Sequence, residues 1–68
     1  MTNTELLEKV ITSSGLKKNY IAEQMGITAY SLAKKIRNET EFKSSEIKKL
    51  CLILEINTLE DKDRIFFA

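Results

Sequence analysis

The sequence predicts an all-α domain of four or five short helices, closed by a short extended C-terminal tail. The chain of 68 residues has no proline, and its only two glycines, Gly15 and Gly26, fall where helices should end. Between those breaks, apolar residues recur at helical spacing in one stretch after another. A composition of 43% hydrophobic and 31% charged residues belongs to a globular chain rather than a disordered one. Residues 1–68 make one domain, and a chain this short buries only about 60% of the surface that its unfolded form exposes. Its core must therefore be efficient.

Helix one opens with Thr2 and Glu5, three apart as in a capping box, and continues through Leu6, Leu7, Val10 and Ile11. Ser13, Ser14 and Gly15 end it. Gly15 suits a left-handed residue after the last turn, and Leu16 folds back onto the same apolar stripe.

The stretch from Asn19 to Asn38 organises the rest. Ile21, Ala22 and Met25 mark the inner face of helix two, which starts near Lys17. Ala22 is small enough for the next helix to cross close by, Gly26 can take the positive φ of a sharp turn, and Ile27 plugs the corner. Thr28 is a natural N-cap for helix three, about Ala29 to Arg37. Its Ala29, Leu32, Ala33 and Ile36 turn towards the body of the protein. Tyr30, Ser31, Lys34, Arg37 and Asn38 face outwards.

After Asn38 comes a short connection, ETEFKS, which Phe42 pins to the core. Ser44 or Ser45 caps helix four, whose apolar stripe is Ile47, Leu50, Cys51 and Leu54. Ile56 and Leu59 continue the apolar signal, and Thr58 opens a short fifth helix through TLEDKD. The last residues, RIFFA, read as an extended segment, because β-branched and aromatic side chains favour that conformation. Ile65, Phe66 and Phe67 are too apolar to be left in water. The tail either packs on its own core or pairs with a second chain.

Ala22, Gly26 and Leu32 stand at the spacing of a small residue four before a turn glycine and an apolar residue six after it. With apolar Ile21, Met25 and Ile27, and with the following run RNETEFKSSEIKKL, the chain resembles the Cro and repressor type of helix-turn-helix found in bacteriophage and bacterial regulators. The resemblance covers about residues 5 to 56, with the helix-turn-helix itself about 17 to 38. It departs at Lys18, where the family often has a phosphate-contacting glutamine, and at Lys35, where it often has an apolar residue and burial passes to Ile36. The resemblance implies a sequence-specific transcriptional regulator that reads operator half-sites in double-stranded DNA. Its second helix would lie in the major groove and read bases through Thr28, Ala29, Tyr30, Ala33, Lys34 and Arg37. The two alanines belong to both the inner face and the reading set, which puts them on the flank of the helix. Similar phage regulators dimerise through C-terminal segments, which leaves a homodimer open.

The charge distribution agrees with such a partner, although the net charge is only +1. From Lys17 to Lys49 the balance is +4, and the two ends together carry −3. Basic Lys17 and Lys18, with Asn19, crowd the start of helix two, where a helix already carries partial positive charge. That misfit suits a phosphate. Lys43 and Ser44 at the start of helix four make a second clamp, and Asn38 completes the phosphate-contacting set.

Catalysis is not expected. The chain has no histidine, no glycine-rich phosphate loop and no metal-ligand spacing, so neither metal nor cofactor is called for. Its single cysteine, Cys51, lies in the apolar run LCLIL and cannot form an internal disulfide, which points to the reducing cytoplasm. No apolar run approaches the roughly 20 residues of a membrane span, and no signal segment opens the chain, so the mature chain is expected to be the whole chain. The contrasting function is an antirepressor or modulator that uses the same fold to bind another regulator protein. Salt separates the two, because DNA binding weakens steeply as counterions compete.

Overall fold

Side-chain caps open three of the five helices, at Asn3, Thr28 and Thr58, and glycines close the first two. The computed structural model describes residues 1–68 and contains five helices and no strand: α1 (Thr4–Ser14), α2 (Lys18–Met25), α3 (Ala29–Ile36), α4 (Ser44–Ile53) and α5 (Leu59–Phe66).

The cap of α1 is Asn3, not the expected Thr2: its side-chain Oδ1 accepts from the Leu6 N–H at 3.1 Å. Thr2 is taken up by a distant partner. Its backbone N–H donates to Asn38 Oδ1 at 2.9 Å, and its carbonyl accepts from Asn38 Nδ2 at 2.7 Å. Gly15 ends α1 at φ 74, as expected, and Ser14 Oγ accepts the Leu16 N–H, which brings half-buried Leu16 back to the core.

Gly26 ends α2 at φ 76, and the Ile27 N–H reaches back to the Ala22 carbonyl at 3.0 Å. Only Gly26, Ile27 and Thr28 separate α2 from α3, with Thr28 Oγ1 accepting from the Ser31 N–H. The two helices are therefore in direct contact, and Ala22 is buried at 2% exposure. Leu32 and Ile36 close the inner side of α3; full burial of one such side chain is worth about 1.5–3 kcal/mol. Asn38, at φ 64, ends the helix in the left-handed region that asparagine tolerates best after glycine.

The cap position of α4 is Lys43 rather than Ser44 or Ser45. The Glu46 carboxylate accepts the Lys43 backbone N–H at 2.8 Å, which is the reach-back half of a capping box, while no side chain at the cap position accepts a helix N–H. Phe42 is buried, as the connection requires, and Ile47, Leu50 and Leu54 form the inner stripe with partly buried Cys51.

The C-terminus departs most from expectation. Thr58 caps α5 through the Asp61 N–H, but the helix runs on to Phe66, so most of the expected extended tail is helical and only Phe67 and Ala68 lie beyond it. Ile65 and Phe66 are both buried, and the Phe66 ring meets Phe42 edge to face with centroids 5.5 Å apart. Tertiary packing overrides the strand preference of these side chains. Leu59, expected to continue the apolar stripe, is exposed. The first residues lie against the end of α5, with the Asn3 N–H donating to the Ile65 carbonyl and the Ala68 N–H to the Met1 carbonyl.

Candidate nucleic-acid interface

The outward side of α3 is what the burial of Leu32 and Ile36 leaves over. Thr28, Ala29, Tyr30 and Arg37 are exposed there, and Ala33 and Lys34 are half-buried. Ala29 therefore does not turn inwards as its spacing suggested; lying at the first position of α3, it clears the body of the protein. Tyr30 is 71% exposed, and the Lys34 ammonium lies 5.4 Å from its ring centroid. That cation–π contact holds the two side chains together on one face. Lys34 makes no ion pair.

Arg37 is different. Its Nε donates to Glu39 Oε2 at 2.6 Å, both side chains remaining about half exposed. The hydrogen bond from Arg37 lowers the Glu39 carboxyl below its ordinary range, and the same bond raises the guanidinium. An incoming phosphate or base edge must compete with that carboxylate for Arg37. Thr28 uses its hydroxyl oxygen as an acceptor within its own cap, which leaves the O–H to donate.

Lys17, Lys18 and Asn19 are exposed at the start of α2. Lys18 Nζ is held by Glu8 of α1 at 2.9 Å, so of the two lysines only Lys17 is unpaired. Lys43 and Ser44 are exposed at the start of α4. Asn38 is exposed, but its carboxamide is taken up by bonds within the chain: besides its two bonds to Thr2, its Nδ2 donates to Thr4 Oγ1 at 3.3 Å. Thr4 Oγ1 in turn donates to the Ile36 carbonyl, so α1 is sewn to the end of α3.

The structure also contains a pair that sequence reasoning did not assemble. Lys35 Nζ lies 3.0 Å from Glu46 Oε1 and donates to the Glu41 carbonyl at 3.1 Å. Both side chains are nearly buried, at 11% and 12% exposure. The pair ties the last turn of α3 to the first turn of α4, and so sets Lys43 and Ser44 beside the end of α3. Burial pushes the Glu46 carboxyl up, but the Lys43 N–H, the Lys35 hydrogen bond and the charges of both lysines together bring it below the ordinary range. The signal was a lysine at an apolar position of the pattern; its partner, eleven residues on, had no local mark.

Cys51 is half-buried, and burial pushes its thiol up against the weaker opposing effect of Lys62. It is a packed thiol. No helix is long and apolar enough to cross a membrane. No family model, curated protein or solved structure matches this chain.

Proposed function

We propose that this chain is a sequence-specific DNA-binding regulator of the Cro and repressor helix-turn-helix type, a phage-style repressor that acts in the cytoplasm by occupying operator half-sites. The observation that carries the reading is the face of α3. Its inner side is locked by Leu32 and Ile36, and its outer side offers Tyr30 and Lys34 as a preassembled pair with Thr28, Ala29 and Arg37 around them.

Those side chains match what base edges offer in the major groove. A lysine donates to guanine O6 and N7, a small apolar side chain such as Ala29 meets a thymine methyl, and Tyr30 brings a ring and a hydroxyl. Lys17 and Lys43, at the starts of α2 and α4, supply charge for phosphates and fix the register. A gel shift against DNA flanking the chain's own gene, repeated over a range of salt concentrations, tests the reading. A discrete complex that outcompetes random DNA and weakens as salt rises is expected. Equal affinity for all sequences, or no complex at low salt, would overturn it.

A further inference from the structure

Away from α3, the end of α4 and the start of α5 enclose an open groove walled by Cys51, Leu52, Ile56 and Leu59 and rimmed by Lys48 and Lys62. Leu52 is 76% and Leu59 72% exposed, although a domain this small has few apolar side chains to leave in water. Neither rim lysine takes part in an ion pair within the chain, and no acidic residue lines the groove. The groove is thus apolar along one part, with neutral Asn57 and Thr58 beside it, and the two charged residues of its lining are both positive.

We propose that this groove docks an amphipathic helix of another protein that carries acidic side chains beside its apolar stripe. Apolar residues at helical spacing would cover Leu52 and Leu59, and flanking carboxylates would meet Lys48 and Lys62. A second copy of this chain fits less well. Two grooves placed face to face bring lysine rims together with no acidic lining residue to separate them. None of the candidate DNA-contacting residues lies in the groove, so the inference does not depend on DNA binding.

A selection from a displayed random peptide library against the full chain tests this. Enriched peptides should carry Leu, Ile, Phe or Met at i, i+3 or i+4, and i+7, flanked by Asp or Glu. The best enriched peptide, labelled and titrated by fluorescence polarisation, should bind at least about ten-fold more weakly to a Leu52→Ser, Leu59→Ser variant, a loss of about 1.4 kcal/mol. It should also weaken against Lys48→Glu, Lys62→Glu. Both variants should keep the parent's circular dichroism spectrum, since the altered side chains are exposed or on the rim. No enrichment, enriched peptides without acidic residues, or binding indifferent to all four substitutions would overturn the proposal. So would sedimentation showing a dimer of the parent that the serine variant dissolves, because the occupant would then be a second copy.

Discussion

Lys35 Nζ and Glu46 Oε1 meet 3.0 Å apart in a nearly buried position between the last turn of α3 and the first turn of α4. A charge removed from water is tolerable only with a partner and satisfied hydrogen bonds, and both ends have them: Lys35 also reaches the Glu41 carbonyl, and Glu46 also accepts the Lys43 N–H. Lys35→Ala leaves a carboxylate almost buried and unpaired. It should lower stability by about 3 kcal/mol, whereas Lys35→Met combined with Glu46→Gln should lose less, because glutamine still accepts the Lys43 N–H. Urea unfolding of the two variants checks this, and equal losses would show that the pair carries no special weight.

The same carboxylate makes stability depend on pH. The folded-state value of Glu46 lies below its unfolded value, so its contribution is complete above the ordinary glutamate pKa of about 4.3 and is lost as pH falls through the lower folded value. Parent and Glu46→Gln melts should therefore diverge above about pH 4.3 and converge in stronger acid. A constant offset at every pH would remove Glu46 from the acid limb.

Ala22 is buried on α2, which is in contact with α3. Ala22→Leu should overpack that contact at about 1–3 kcal/mol, which in a domain of this size lowers Tm by several degrees. An unchanged Tm would mean that the two helices do not cross at Ala22.

Two of the three apolar C-terminal residues belong to the core, whereas Phe67, expected to leave water with them, stays 58% exposed. Ile65 and Phe66 are buried, and Phe66 packs on Phe42. Phe66→Ala should cost about 3–5 kcal/mol, a large share of what a small domain has. Deleting Arg64 to Ala68 should leave a chain that unfolds at much lower temperature rather than a well-folded monomer. Calorimetry decides, and a truncated chain that melted like the parent would contradict the packing.

What was legible in the sequence was local. Gly15, Gly26, Thr28 and Thr58 each do in the structure what their conformational freedom or side-chain oxygen suggests, and Ala22, Leu32, Ile36 and Phe42 are buried. What escaped depended on distant partners. Thr2 looked like a cap because Glu5 follows at the right spacing, but Asn38 claims its backbone and the cap moves to Asn3. Ile65 and Phe66 have strand-like side chains, and only contact with Phe42 and the first residues makes a helix the better solution. On the α3 face, spacing did not foresee that Ala29 is exposed, that Arg37 is paired with Glu39, or that Asn38 is engaged by Thr2.

The most direct test of the central proposal is a binding selection from random duplex DNA, run side by side on the parent chain, Lys34→Ala and Lys43→Ala. Losing a base contact costs about 1–3 kcal/mol and relaxes one position, whereas losing a phosphate contact weakens all sequences alike. The parent should enrich a defined site, Lys34→Ala should enrich the same site with one position relaxed, and Lys43→Ala should enrich the parent's site at lower affinity. A parent chain that enriches no site, or three indistinguishable profiles, would contradict the assignment of α3 as a reading helix.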